Sequence, residues 1–498
     1  MRTVFILLDS LNRAACEPYG STDVRTPNLA RLAERAVTFD NHHVGSLPCM
    51  PARRDLHTGR INFLHRSWGP LEPFDHSFPE ILKRAGVHTH IVTDHHHYFA
   101  DGGGTYHPRY STWELVRGQA IDRWKAEVAP DEDALRGAFH PVQQHRRAYM
   151  VNRKQMVREE DYCCPQVFSL GEAFLRTNHE ADDWLLQIEC FDPHEPFHAP
   201  ERFRRLYPRS YSGPILDWPL YREVEEGEDE IAELRANYAA LTTMCDEYLG
   251  RTLDLFDALD LWADTALVVT TDHGFLLGEH GWWAKNRMPV YDEIARIPLF
   301  IHHPDHREQG GQRRSSLTQT TDLMPTFVDL HGQPVPEGVL GRSLVPLLER
   351  DLPLRDALIF GYFGAACNVT DGRYVLHRYP ERMTAENLYE YTLMPTRMTS
   401  RMSIEELAAA TLVDPQPFAN GSPVLRVPAQ RDHEGDPTEP QGMSFVDTTT
   451  ALYDLWTDPA QAEPIEDEAT MARLLDHMGR LARAADAPPE LLTRLGLT

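Results

Sequence analysis

The stretch from Cys49 to Arg60 sets one thiol among Arg53, Arg54 and Arg60. Pro51, two residues after the thiol, suits the first turn of a helix, where its missing N–H costs nothing. Ala52 to Leu56 continue a helical reading, and Gly59 can end it. Cys49 is thereby expected at a helix N-terminus, where free N–H groups and the positive dipole end favour an anion. Arg53, one turn on, can reach back to the same place. The plain alternative is a buried free cysteine beside a helix. Elsewhere, acid–base and metal-type residues follow short apolar runs. Asp9 follows Val4 to Leu8, Asp94-His95-His96-His97 follow Val87 to Thr93, His194 follows Trp184 to Cys190, and Asp272-His273 follow Ala266 to Thr271. One such ending is a capped strand. Four of them, with the Cys49 stretch, point to one site.

The runs that carry these residues are continuous and apolar, as strands buried on both faces of a parallel sheet are. Val37 to Phe39 and Ile297 to His302 read as further strands. Helices are expected from Thr26 to Ala36, Phe78 to Ala85, Pro165 to Thr177, Leu234 to Leu259 and Asp322 to Leu330. This alternation predicts an α/β fold with a large, mainly parallel sheet flanked by helices, and ligands beyond the carboxyl ends of its strands. After about residue 365 the pattern changes. Val369 to Val375 reads as a hairpin turning at Asp371-Gly372, Leu452 to Leu455 as a strand, and the tail from Glu466 as helical. Residues 1–365 are thus expected to form a catalytic domain and 366–498 a smaller C-terminal α+β lobe. Residues 113–160 read as a polar insertion with helical pieces, Pro415 to Gly442 as a long loop, and Gly102-Gly103-Gly104 as a flexible turn.

The chain's 498 residues suffice for a large core, and its 42% hydrophobic and 25% charged content is that of a soluble enzyme. A formal charge of −26 argues against a nucleic-acid partner, though a local cationic pocket can still take an anionic substrate. Seven scattered cysteines without a CxxC pair make no disulfide framework and suit a reducing compartment. Val4 to Leu8 is too short for a signal segment or a membrane span, so a cytoplasmic protein with no membrane partner is expected. The long C-terminal loops could exchange across a homo-oligomer.

Cys49, Pro51 and Arg53, with Thr58-Gly59-Arg60 at a fixed distance, resemble the signature of the type I, formylglycine-dependent sulfatases. These belong to the alkaline phosphatase superfamily, which includes related phosphonate monoester hydrolases. His57 departs from the leucine usual there. The resemblance implies that a cysteine-oxidising maturation enzyme converts Cys49 to formylglycine. The hydrated aldehyde carries two hydroxyls on one carbon. One attacks the ester, and deprotonation of the other collapses the diol and expels the bound sulfate. The family's metal motif is similar to Asp272-His273-Gly274, followed by Gly278-Glu279-His280-Gly281 and Lys285. It implies a divalent metal on Asp9, Cys49, Asp272 and His273, with Gly274 letting the backbone turn. Ser10 stands where the family often has a second acid. The metal implied first is Ca²⁺ and second Mn²⁺, since an imidazole and fewer carboxylates lean toward the latter. Lys285 matches a lysine that bridges sulfate and leaving oxygen. His194 matches a histidine that contacts sulfate or protonates the leaving group. His97 matches the histidine of a Lys-any-His element whose lysine is here His95; the triple histidine also reads as structural or as a small metal cluster.

The expected function is hydrolysis of sulfate monoesters, arylsulfatase-like, on a small anionic ester. The alternative is a phosphonate monoester hydrolase or phosphodiesterase using the same site, because those substrates also carry one negative charge. A non-catalytic binding protein would have lost Cys49, Arg53 or Lys285.

Overall fold

The computed structural model describes residues 1–286, 289–380, 387–429 and 449–498. Its frame is an eight-stranded sheet. The strands are β1 (Arg2–Leu8), β2 (Val37–Phe39), β3 (His88–Thr93), β4 (Thr112–Leu115), β5 (Trp184–Cys190), β6 (Thr265–Thr270), β7 (Leu299–His302) and β8 (Arg313–Arg314). Their spatial order is β8-β2-β7-β6-β1-β5-β3-β4. All neighbours run parallel except at β7, which is antiparallel to both β2 and β6. In register, Leu8 lies opposite Cys190, Leu7 opposite Thr270, and Thr93 opposite Glu189. The central strands therefore end nearly level, and Asp9, Asp94, His194 and Asp272 all leave the sheet at that edge.

Side chains alternate across the sheet, as the period of a strand requires. Val4, Ile6 and Leu8 share one core with Cys190, Val269 and residues of the helices Cys163–Asn178 and Glu228–Ala258. Phe5 and Leu7 share the other with Leu185, Val268, and Met50 and Leu56 of the helix Cys49–Thr58. These three helices are α1 (Cys49–Thr58), α2 (Cys163–Asn178) and α3 (Glu228–Ala258). Two buried faces leave no polar face, which is why these strand sequences are mostly apolar, with Val4 to Leu8 an unbroken run.

A five-stranded sheet lies beside the first, in the order Ala451–Asp454, Tyr374–Arg378, Cys367–Thr370, Leu358–Tyr362, Ser46–Leu47. Its first three pairings are antiparallel. The last is parallel, with Gly361 opposite Ser46 and Tyr362 opposite Leu47. The hairpin turns at Gly372, whose φ of 90° suits glycine. The helix Glu468–Ala484 covers this sheet through Leu474, Met478 and Ala482. The sheet thus draws strands from both sides of residue 365 and holds the segment just ahead of Cys49.

Local expectations need three corrections. Thr112–Leu115 is an edge strand of the main sheet rather than part of an insertion; it is largely exposed, so no apolar run marks it. Ser422–Pro428, inside the loop expected from Pro415 to Gly442, is a strand that pairs antiparallel with Thr411–Gln416. The rest of that stretch, 430–442, lies outside the described residues. Gly103–Thr105 is one short helical turn packed on the His97 backbone, where a Cβ at Gly103 would clash, and not a flexible turn. Among the described residues, no helix is long and apolar enough to cross a membrane. All seven cysteines are free and buried.

Candidate active site

Cys49 opens α1 as its first residue, and Gly59 closes the helix in the left-handed conformation (φ 67°). Asp55 anchors both ends of this element. Its carboxylate accepts from Ser46 N (2.6 Å) and Ser46 Oγ (2.9 Å) ahead of the helix. It also accepts from Asn62 N (3.0 Å) and Asn62 Nδ2 (2.6 Å) behind it.

Arg53 is 1% exposed and ringed by three carboxylates. Nε donates to Glu189 (2.7 Å), Nη1 to Asp272 (2.6 Å), and Nη2 lies 2.9 Å from Asp9 Oδ2. Nη1 also donates to the Cys49 carbonyl at 3.1 Å, reaching back as the spacing predicts. Sequence reasoning missed Glu189. The signal was there: Gln187 and Glu189 alternate inside an otherwise apolar strand, so both point to the α1 face. Glu189 Oε2 accepts from Tyr98 Oη (3.0 Å) and Gln187 Nε2 (2.7 Å). Burial raises the pKa of Glu189, against the pull of Arg53.

Ligand atoms of Asp9, Cys49, Asp272 and His273 all lie within 4.8 Å of one another, and all four residues are buried. His273 Nδ1 donates to the Gly274 carbonyl (2.9 Å), which leaves the Nε2 lone pair facing Cys49 Sγ at 3.2 Å. Among the described residues Asp9 Oδ2 accepts no hydrogen bond, because Arg53 Nη2 is near but poorly aligned. Burial works to raise the pKa of Asp9, but the charges of Arg53 and then Lys285 outweigh it and hold the carboxyl well below its usual range. Two carboxylates, one of them with an unpartnered buried oxygen, and an imidazole nitrogen fit a divalent cation. Gly274 serves otherwise than expected. A Cβ there would fall 1.8 Å from the Glu293 carbonyl, so a close backbone approach, not a left-handed turn, requires glycine.

Ser10 has a φ of 61°, uncommon for a residue with a side chain. The turn lets its Oγ donate to Asp9 (2.8 Å) and accept from Lys285 Nζ (2.9 Å). Lys285 Nζ is also 3.8 Å from Glu195 Oε2. Burial lowers the pKa of Lys285, but Cys49, Glu195 and Asp9 more than offset it, so the amine stays protonated. His194 Nδ1 donates to the Glu195 carbonyl (2.5 Å) and lies 3.3 Å from its carboxylate. Burial, then Lys285, push the His194 pKa well below the usual imidazole range, leaving the ring neutral. Glu195 was not foreseen as part of the site. Burial raises its pKa to about 7, against Lys285 and the hydroxyl of Tyr221, which donates to it. His95 Nε2 is 3.8 Å from Asp9 Oδ2, and the His97 ring lies 4.1 Å from that of His96 and edge-on to Trp68. Among the described residues the three histidines join no ligand group. From the second sheet, Tyr362 brings a buried hydroxyl with no partner among the described residues, its pKa raised by burial and then by Cys49.

The family model named Sulfatase matches residues 2–333, and one named N-sulphoglucosamine sulphohydrolase, C-terminal, matches residues 278–411. The chain is 27% identical over 384 residues to the multifunctional alkaline phosphatase superfamily protein PehA of Trinickia caryophylli, covering 66% of this chain and 72% of that protein. It is 28% identical over 362 residues to an ulvan-active sulfatase of Formosa agariphila, covering 71% and 66%. In fold it resembles BT4656 in complex with D-glucosamine-2-N,6-O-disulfate (TM-score 0.66, 17% identity, 98% and 99% covered). The phosphonate monoester hydrolase of Agrobacterium radiobacter is as similar (TM-score 0.66, 19% identity, 97% and 95% covered). With Asp9, Cys49, Arg53, His194, Asp272, His273 and Lys285 all inside the matched span, the chain belongs to the sulfatase family of the alkaline phosphatase superfamily and is a sulfuric ester hydrolase.

Proposed function

We propose that the chain cleaves aryl-type sulfate monoesters with a formylglycine made from Cys49 and a divalent ion, Ca²⁺ before Mn²⁺. Asp9, Asp272, His273 and residue 49 would hold the ion. One observation carries this reading: Cys49 Sγ lies at the start of a buried helix, 3.2 Å from the free nitrogen of His273 and within the Asp9–Asp272 group. The hydrated aldehyde supplies one hydroxyl for attack and a second whose deprotonation releases sulfate. The ion supplies charge that lowers the hydrate's pKa and neutralises a substrate oxygen.

The chain's own residues do the rest. Arg53 fixes Asp9, Asp272 and the carbonyl of residue 49 relative to one another, so the reacting group is held before substrate arrives. Lys285, protonated and pinned by Ser10, presents its charge to the sulfate and the departing oxygen. His194 is neutral in the free pocket. An ester anion set beside it raises its basicity, and it can then pass a proton to the leaving oxygen. His97, whose basicity is lowered by burial, His96 and His194, would contact the substrate. Cys49 is 3% exposed, so the maturation enzyme must act before the chain closes over it. Seven free thiols support a cytoplasmic setting.

A phosphonate monoester or phosphodiester substrate is the second reading, and Ser10 is the observation that favours it. A hydroxyl in place of an acid removes one negative charge beside Lys285, and the related PehA is described as multifunctional. The test uses chain produced with a maturation system and matched aryl sulfate, phosphonate monoester and phosphodiester substrates. The Cys49 peptide is expected to weigh about 18 Da less than its thiol form, where other cysteine oxidations add oxygen. The sulfate should show the highest kcat/KM. Fully active enzyme with unmodified Cys49 would falsify the mechanism, and a higher kcat/KM on the phosphonate assigns the second reading.

A further inference from the structure

Glu189 lies inside β5 rather than past its end, is 0% exposed, and has no task in the chemistry proposed for the site. A buried carboxylate is costly unless it is paired and hydrogen-bonded. Here it is both. Oε1 accepts from Arg53 Nε (2.7 Å), and Oε2 accepts from Tyr98 Oη (3.0 Å) and Gln187 Nε2 (2.7 Å). Gln187 Oε1 accepts in turn from Tyr110 Oη (2.5 Å), which sets the amide so that its NH₂ group meets Glu189. Tyr98, Tyr110 and Gln187 are themselves buried, the two tyrosines in the core that holds Met50 and Leu56 of α1. Every one of these partners donates to Glu189, which is the surrounding of an ionised carboxylate. Arg53 is its cation among the described residues. The same guanidinium reaches Asp9 and Asp272, the acids just past β1 and β6. One cation among three carboxylates leaves two negative charges, which a divalent ion balances. Lys285 has its own carboxylate, Glu195, 3.8 Å away. A guanidinium facing only Asp9 and Asp272 would instead leave one negative charge and set its own charge against the incoming ion.

We propose that Glu189 is a positioning residue of the cation centre, acting through Arg53: it holds the guanidinium so that Asp9 and Asp272 keep their spacing, and it cancels the guanidinium charge against the ion. This rests on the metal-dependent reading of the site. Glu189 touches neither ester nor ion in this role. Its effect reaches them through the Nε bond that fixes the guanidinium and through the charge carried at that bond. Tyr98 and Gln187 supply the rigidity, since a carboxylate bonded on both oxygens is kept from swinging away from Arg53. The consequence is measurable on the ion itself, before any ester is turned over.

The test uses full-length chain made with the maturation system, stripped with a chelator and titrated by calorimetry with Ca²⁺ and, separately, Mn²⁺. Glu189→Gln keeps the size of the side chain and an oxygen for Arg53 Nε but removes the charge. It is expected to weaken ion binding about tenfold to a hundredfold. Glu189→Asp keeps the charge and loses one methylene. It should bind the ion more tightly than Glu189→Gln, within about fivefold of the parent. A role in packing alone predicts the reverse order, because the shorter side chain disturbs the core more. Should Glu189→Gln fail to fold, Tyr98→Phe decides. It takes one donor from Glu189 and no charge from the site, and should weaken the ion about twofold to fivefold. A parent chain that takes up neither ion sinks the metal-dependent reading and this inference with it. A parent that binds an ion, with Glu189→Gln binding as tightly as the parent or no more weakly than Glu189→Asp, overturns the inference alone. Unchanged affinity in Tyr98→Phe, where that variant has to decide, does the same.

Discussion

Glu195 and Lys285 set the charge that an incoming ester meets. Their side chains are 3.8 Å apart, and the Glu195 carboxyl titrates at about 7. Below that pH Glu195 is protonated, and the Lys285 charge is free for an anion. As pH rises through it, Glu195 ionises and competes for Lys285, so the pocket loses one positive charge. For a singly charged ester, kcat/KM is expected to fall roughly threefold to tenfold between about pH 6 and pH 8. Glu195→Gln should flatten that limb while keeping the rate seen at the lower pH. An identical limb in the variant assigns the titration to another group. Lys285 and His194 can be told apart from Arg53 by the leaving group. Charge on a departing oxygen needs help only when the leaving group is poor. Lys285→Ala and His194→Ala should therefore lose more on esters of high-pKa phenols than on nitrophenyl esters. The slope of log kcat/KM against leaving-group pKa should steepen, most for the protonated Lys285. Arg53→Ala should lower every rate alike, because it orients the nucleophile. Unchanged slopes in both Lys285 and His194 variants would leave these residues as sulfate binders and make His97 the proton donor to test.

At the scale of elements, α1 holds its place through one buried carboxylate. Asp55→Ala takes the acceptor from Ser46 N and Oγ, while Asn62 N keeps Ser46 Oγ and Asn62 Nδ2 keeps the Pro51 carbonyl. A loss of about 2–4 kcal/mol in urea unfolding is expected, with activity falling as the Cys49 segment loosens. Equal stability in the variant would mean that strand pairing of Ser46–Leu47 alone fixes the segment. The same elements show what a sequence can disclose. β1, β3, β5 and β6 are legible because strands buried on both faces are mostly apolar, and a polar residue just past each carboxyl end is then conspicuous. β4 is not, because an exposed edge strand needs no such run. Thr411–Gln416 is an edge strand that tolerates Pro415, and Ser422–Pro428, the central strand of that sheet, carries its prolines near its two ends. Glu189 hides inside its own strand, since only the packing of α1 shows that Arg53 meets it. The Cys49 stretch is legible because its chemistry needs a local helix start, which spacing alone defines.

At the scale of the whole molecule, the two sheets are joined at the Cys49 segment. Ser46–Leu47 pairs with Gly361 and Tyr362, so the second sheet decides where α1 begins. It also lends the site a side chain. The Tyr362 hydroxyl is buried without a partner among the described residues, and its pKa responds to Cys49. A buried hydroxyl with nothing to bond costs stability in the free protein. Such a group earns its place when an anion arrives to accept from it. Tyr362→Phe removes the hydroxyl and keeps the ring, so thermal unfolding should be unchanged or shifted slightly upward. On sulfate esters kcat/KM should fall about tenfold to a hundredfold, the loss of one hydrogen bond to a charged group. A drop in kcat places that bond in the transition state, and a rise in KM alone places it on the bound ester. Unchanged kinetics would mean that the second sheet gives the site its shape and no chemistry.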